Sequence, residues 1–425
     1  DRCRMTVELI SVGTEILLGN IVNTNAAYLA EKIALLGLSC YHQSVVGDNE
    51  ERLEDAIRLA LSRSDIVILS GGLGPTKDDL TKEVTAKVFG RELYEDAHSK
   101  ERIQAYFDKR RAQGREITAN NWKQALVPEG AIVVDNHNGT APGIILEDKE
   151  KGKTAILLPG PPGEIKPMFE RDIAPYLNRL QPEGIYSKMV KICSIGESQA
   201  ETMVADLMDE QSNPTLAPYA KTGEVHFRVT AKAADEESAR RLMEPMLAEL
   251  EKRFGDYIYT MDEEVTLEEA VVGMLRERQM TVTTAESCTG GLLAGRIMNV
   301  PGASNVYKEG YITYSNEAKE KLLGVEHSTL ESVGAVSPET AEQMARGAAR
   351  QAGADAALSV TGIAGPDGGT PGKPVGLVYV GCCVRGKTRV EEFRFTGNRS
   401  KNRDYAVVRA LTLLREELLR TEDKA

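Results

Sequence analysis

The sequence predicts an α/β protein, with two large α/β segments on either side of a small α+β module. Three observations carry this reading. Apolar runs of strand length end in glycine and alternate with amphipathic helical stretches, which implies mainly parallel sheets with ligands at the carboxyl ends of their strands. A strictly alternating polar–apolar run interrupts that pattern in mid-chain. At 425 residues the chain is also too long for one ordinary core. The divisions fall at about 1–175, 176–260 and 261–425.

In the first segment "TVELISVG", "DIVILSGG" and "TAILLPG" read as strands ending in glycine. Helical patterns cover 24–36 and 50–63, and in the second Leu53, Ile57 and Ala60 share one face. In the middle module "EVHFRVTAKA" places Val225, Phe227 and Val229 on one face of a half-buried strand, with helical patterns at 197–209 and 235–253. The third segment runs as helix 266–278, strand 281–286, a Gly-Gly turn, helix 291–299, strand 306–314 and helix 316–323. A buried strand in "ADAALSVTGIAGPDGG" and an amphipathic helix at 401–419 complete it.

A net charge of −12 and a pI near 5.2 argue against a general binder of nucleic-acid backbones, which needs a basic face. Small anions held in local pockets stay open. The cysteines at 3, 40, 193, 288, 382 and 383 lack C-x-x-C spacing and read as reduced, mostly buried thiols of a cytoplasmic protein. The apolar run "VGLVYVGCCV" has 10 residues, short of the roughly 18 a membrane helix needs. No signal peptide is visible, and "DRCR" ahead of Met5 reads as an appendage.

The densest chemistry of the first segment lies in "SGGLGPTKDDLT" (70–81). Gly71, Gly72 and Gly74 carry no Cβ to keep an anion from backbone amides. Pro75 fixes the turn, and a helix is expected to begin near Asp78 or Asp79. Two adjacent carboxylates beside an anion cradle suit a divalent metal; equally, they would complement the dipole of a helix N-terminus. "GTEILLGNIVNTNAAYLA" (13–30) adds Glu15, Asn20, Asn23 and Asn25 in a strand-to-helix turn, and "LLPGPPGE" (157–164) adds a rigid loop.

In the third segment "TAESCTGG" (284–291) sets Ser287 beside Cys288 between a strand and a glycine pair. Histidine, the usual base, occurs there only once, at His327. Lysine is the alternative, but at an ordinary pKa only about 0.04% of it is neutral at pH 7. Burial or a neighbouring cation must lower that value. Lys319 stands about one turn into a helix, past the strand end at Tyr314, whereas Lys321 points elsewhere. Ser287 and Lys319 thus both follow strand ends, which share one edge of a parallel sheet. Ser315 is a rival nucleophile or an N-cap. Cys288 is another rival, or a small buried hydrophobe. The amides of Thr289, Gly290 and Gly291 offer an oxyanion hole or a phosphate site. The Gly/Pro-rich loop 361–376, and Arg399 and Arg403 in "FTGNRSKNR", complete the candidate pocket, the arginines as bidentate phosphate ligands or as solvated charges.

At these residues resemblance enters. "GTEILLG", "VGD", "SGGLGPTKDD" and "LPGPPGE" resemble the N-terminal domain of the CinA family, itself similar to three-layer molybdopterin-binding domains. The resemblance implies a metal-dependent pyrophosphatase acting on ADP-ribose, with a divalent ion (Mg²⁺ or Co²⁺) and K⁺. Gly71, Gly72, Gly74 and Thr76 would then hold phosphate, and Asp78, Asp79, Glu15 and Asp48 the metal. The middle module resembles the KH-type domain of that family. It lacks the G-x-x-G pair of nucleic-acid-binding KH domains, so contact with RNA or DNA is not expected. "TAESCTGGLLAGRI", "GYITYSNEAK", "GAVS", "TGIAGPDGGTPGKPVGLV" and "FTGNR" resemble the C-terminal CinA domain, a nicotinamide-nucleotide amidase. That implies hydrolysis of nicotinamide mononucleotide to nicotinate mononucleotide and ammonia by a Ser/Lys dyad, with no cofactor. Ser287 becomes the nucleophile, Lys319 the base, Tyr314, Thr361 and Gly362 site-lining groups, and Arg399 and Arg403 phosphate ligands. A homodimer, with no membrane contact, is the expected assembly. The competing class is a non-enzymatic nucleotide or pterin binder acting in DNA uptake or repair.

Overall fold

The computed structural model describes residues 5–114 and 118–422, so Cys3 and the rest of the "DRCR" stretch lie outside the described residues. The chain divides into two compact units: Asp1–Tyr186 with Lys232–Ala239, and Ser187–Ala231 with Arg240–Ala425.

The first unit is built on a six-stranded sheet ordered Ser39–Val46, Thr6–Val12, Ile66–Ser70, Lys153–Leu158, Gly143–Asp148, Ile132–Val134. The first four run parallel and the last two antiparallel. Every residue of Ile66–Ser70 is buried, as a central strand covered on both faces requires. Alternate side chains enter different cores. Val7, Leu9, Ile66 and Ile68 meet Leu29 and Ile33 of the helix Thr24–Leu35. Ile10, Val12, Val67 and Leu69 meet Leu53, Ile57 and Ala60 of the helix Glu50–Arg63. The period of two along strands and near 3.6 along helices thus yields three layers.

The second unit holds a five-stranded sheet ordered Tyr311–Ile312, Val282–Glu286, Ala356–Gly362, Leu377–Val384, Lys387–Arg394. The first three strands are parallel and the remaining pairings antiparallel. The alternating run forms the strand Glu224–Ala233, with Val225, Phe227 and Val229 buried, inside a four-stranded antiparallel-edged sheet. Cys193 of the middle module belongs to the same apolar core as Leu411 and Leu414 of the final helix. Arg415, also on that helix, donates to the carbonyls of Asp256 and Ile258 at 2.7 and 2.8 Å.

Three elements differ from expectation. The expected strand 306–314 contracts to Tyr311–Ile312: at its start the Val306 and Tyr307 amides bond back to Ala303 O, and at its end the carbonyls of Thr313 and Tyr314 accept from Lys319 Nζ. The expected helix 197–209 is two, Glu197–Met203 and Ala205–Asp209, interrupted at Val204. No helix begins at Asp78 or Asp79. The Asp79 carboxylate folds back onto Thr76 N and Oγ1, at 2.9 and 2.6 Å, and the helix starts at Thr81.

Candidate functional site

In the second unit Ser287 is the first residue beyond the strand Val282–Glu286, and its amide donates to Val360 O of the neighbouring strand. Glu286 is fully buried, and its carboxylate accepts from the amides of Leu293 and Ala294 at 2.8 and 3.1 Å. That bond caps the helix Leu292–Met298 and draws residues 287–291 into a tight turn, which Gly291 enters at φ +98°. Across the sheet edge, Ser315 caps the helix Asn316–Leu323 by accepting from Ala318 N, so its hydroxyl serves as the N-cap.

That helix aims Lys319 inward. Lys319 Nζ lies 3.0 Å from Ser287 Oγ and donates to the carbonyls of Thr313 and Tyr314 at 2.8 and 3.2 Å. It is 1% exposed, and among the described residues no carboxylate pairs with it. Burial therefore lowers its pKa to about 8, against weaker upward pulls from Cys288 and Glu317. The other sequence candidates separate from this pair. Burial pushes the Cys288 thiol up to about 11. His327 is exposed between Glu320 and Glu331, which raise its pKa. Lys321 is exposed.

The groups expected around the dyad are present but partly engaged. Of the three turn amides, Gly290 N donates to Ser287 O, whereas those of Thr289 and Gly291 have no partner among the described residues. Thr289 Oγ1 is buried and unpartnered. The Thr361 hydroxyl donates to Ala335 O at 2.7 Å. Gly362 packs where a Cβ would stand 2.6 Å from Val378. Arg403 grips the carbonyls of Cys288 and Thr289 at 2.8 and 3.3 Å, so part of its guanidinium steadies the nucleophile turn. Arg399 donates to Gly365 O and to Tyr314 Oη, with Tyr314 itself exposed.

In the first unit the carboxyl ends of the four parallel strands meet at a cavity of about 620 Å³. Glu15, Asp48, Gly71, Gly72, Gly74, Thr76, Asp78, Asp79 and Glu164 all line it. The glycines are required by packing. Gly71 and Gly72 sit at φ +96° and +68°, and a Cβ would stand 2.4 Å from Val12 O and 2.1 Å from Thr81 Oγ1. Not all of the loop is free for phosphate. The Gly71 amide donates to Leu158 O, and Thr76 N and Oγ1 donate to Asp79, which leaves the Gly72 and Gly74 amides.

One Asp48 oxygen likewise accepts from Thr14 N and Oγ1. Among the described residues no three His, Cys, Asp or Glu side chains cluster closely enough to cage a metal. The donor set is all hard oxygen, however, and fits an ion that takes one or two carboxylates and draws its other ligands from phosphate and water.

Several contributors escaped the sequence reading. Thr81 Oγ1 holds Gly71 O, and Lys123 Nζ holds the carbonyls of Thr76 and Asp79. Glu164, raised in pKa by burial, accepts from Asn136. Lys123 has no local signal, because its partners are distant in sequence; Thr81 and Glu164 were on view only as the residues closing "SGGLGPTKDDLT" and "LLPGPPGE".

Three family models match in order over nearly the whole length. The probable molybdopterin binding domain matches residues 8–179, the damage-inducible protein CinA KH domain 187–260, and the CinA C-terminal domain 264–418. A CinA-like protein of Kosmotoga olearia is 52% identical over 98% of this chain and 99% of its own. A CinA-like protein of Dictyoglomus turgidum is 50% identical over 98% and 100%. Among solved structures, competence/damage inducible protein CihA of Agrobacterium tumefaciens is 43% identical, covering 36% of this chain and 93% of that one, with a TM-score of 0.35. With half its residues shared across nearly the full length of such relatives, the chain belongs to the CinA family.

Proposed function

We propose that the C-terminal domain hydrolyses the carboxamide of nicotinamide mononucleotide, with Ser287 as nucleophile and Lys319 as general base. The observation that carries this reading is the 3.0 Å approach of a buried lysine, with no carboxylate bonded to it among the described residues, to a serine hydroxyl. Neutral Lys319 takes the hydroxyl proton as Oγ bonds to the carboxamide carbon. The resulting oxyanion faces the unpaired turn amides of Thr289 and Gly291. Lys319 returns the proton to the departing nitrogen, the C–N bond breaks, and ammonia leaves an acyl-serine. Water, deprotonated by the same lysine, then cleaves the ester to give nicotinate mononucleotide and free Ser287. Arg399 and Arg403 supply the remaining guanidinium donors for the substrate phosphate, beside Tyr314, Thr361 and Gly362.

For the N-terminal domain we propose metal-dependent hydrolysis of ADP-ribose to AMP and ribose 5-phosphate. A divalent ion, Mg²⁺ or Co²⁺, would be held by Asp78 and Asp79 with Glu15 or Asp48, and would supply an activated water and charge neutralisation, with K⁺ as a further cation requirement. The Gly72 and Gly74 amides orient the diphosphate, with Gly71 and Thr76 shaping the cradle. We place both activities in pyridine-nucleotide salvage by a cytoplasmic homodimer without direct nucleic-acid contact. Among the described residues no helix is long and apolar enough to cross a membrane.

The deciding experiment incubates purified protein with nicotinamide mononucleotide and assays ammonia. Release is expected from the wild type and its loss, by about 10³-fold or more, from Ser287→Ala. Undiminished release from that variant removes the mechanism. No ammonia release from wild type, together with no cleavage of ADP-ribose, returns the chain to the class of nucleotide-binding, non-enzymatic proteins. ADP-ribose cleavage that survives both chelation and Asp78→Ala with Asp79→Ala discards the metal reading.

A further inference from the structure

Gln124 lines the first-domain cavity, is 4% exposed, and among the described residues has no hydrogen-bond partner for its Oε1. Asn25, which lines the same cavity, repeats the pattern: its Nδ2 donates to Gly160 O at 2.6 Å, while its buried Oδ1 has no partner among the described residues. Buried amide oxygens are rarely left this way, so each such case calls for a partner. The position of Gln124 is also fixed. Its neighbour Lys123 donates through Nζ to the carbonyls of Thr76 and Asp79, and the Lys123 carbonyl accepts from buried Lys82 Nζ at 2.7 Å. The glycine loop and the Gln124 amide are therefore parts of one braced wall.

The chemistry of the missing partner follows from the acceptors. Phosphate oxygens and the cavity's carboxylates only accept hydrogen bonds, so they cannot satisfy Oε1 or Oδ1. Sugar hydroxyls donate. We propose that Gln124, assisted by Asn25, is a specificity-determining residue that reads hydroxyl donors on the glycosyl part of a nucleoside diphosphate sugar. The cavity thereby selects such a compound over a bare diphosphate. This deepens the pyrophosphatase reading by naming what its site recognises, and rests on that reading for the placement of the diphosphate.

The test measures binding separately from cleavage. Full-length protein in chelator is titrated calorimetrically with ADP-ribose and with inorganic pyrophosphate. Wild type is expected to prefer ADP-ribose. Gln124→Met, matched in size and without polar atoms, should weaken ADP-ribose binding about tenfold and leave pyrophosphate within about twofold. Gln124→Glu, which keeps acceptor oxygens, should weaken both ligands through its charge while retaining the preference. An unchanged thermal midpoint in Gln124→Met certifies the fold; if it falls, Gln124→Glu decides alone. Equal losses for the two ligands in Gln124→Met, as from an amide holding a shared cation or phosphate, overturn the proposal, as does a Gln124→Glu variant that no longer prefers ADP-ribose. So does a wild type without preference. Wild type that prefers ADP-ribose yet never cleaves it overturns the pyrophosphatase reading and leaves this inference standing.

Discussion

Lys319 works as a base only in its neutral form, and burial places its pKa at about 8. Below that pH each unit removes about nine-tenths of the neutral form. The amidase kcat/KM is therefore expected to rise about tenfold per unit from pH 6 toward 8 and then level off. A profile flat across that range excludes Lys319 as the base. The same burial acts on stability with a definite sign. A lysine whose folded pKa lies below its unfolded value of about 10.4 destabilises the fold below pH 8, and that penalty disappears as pH rises through 10.4. Lys319→Met should thus cut turnover by about 10²–10⁴-fold, and its stability relative to wild type should decline between pH 8 and 10.5, read by denaturant unfolding at each pH. Cys288→Ala, by contrast, should keep most activity, since the thiol is protonated up to about pH 11. The residues alone offered Ser287 and Lys319 as candidates past strand ends, with Cys288 and Ser315 as rivals, and the family resemblance gave the pair its roles. Lys123 was not legible, since its carbonyl partner Thr76 lies 47 residues away.

At the scale of elements, the nucleophile turn is set by Glu286 more than by its glycines. The carboxylate is fully buried and accepts two helix amides, an arrangement stronger than a hydroxyl cap. Glu286→Ala would leave those amides unpaired in the interior. We expect a loss of about 2–4 kcal/mol in urea unfolding and a parallel fall in kcat, with Glu286→Gln intermediate because it keeps one acceptor. Equal stability of Glu286→Ala and wild type would show that the turn holds without its cap. Element existence was readable from periodicity: Glu50–Arg63 and Asn316–Leu323 coincide with the patterned stretches. Two of the three misread elements lie at the sites. The strand ending near Tyr314 is cut short at that end by carbonyls that bind Lys319, and the helix near Asp78 is delayed by an aspartate bonded to Thr76. In both places a side-chain bond outcompetes the regular backbone pattern.

At the scale of the molecule, three segments are visible in the sequence, yet the chain forms two compact units. Composition marks where the middle module begins and ends but not what it packs on. That depends on Arg415, which is 6% exposed and donates to Asp256 O and Ile258 O. A guanidinium among apolar neighbours reads from sequence as an ordinary charge on an amphipathic helix. Removing it leaves two carbonyls without donors, at about 1–3 kcal/mol each. The chain has one tryptophan, Trp122, which packs edge-on against Phe107 in the first unit and so reports on that unit. In Arg415→Met the tryptophan fluorescence transition should hold its wild-type midpoint. The far-UV circular dichroism transition should shift to lower denaturant by about 2–4 kcal/mol in the second unit, or split as the middle module loosens first. A wild-type midpoint by both probes would mean that the apolar core around Cys193 and Leu411 holds the middle module without the arginine.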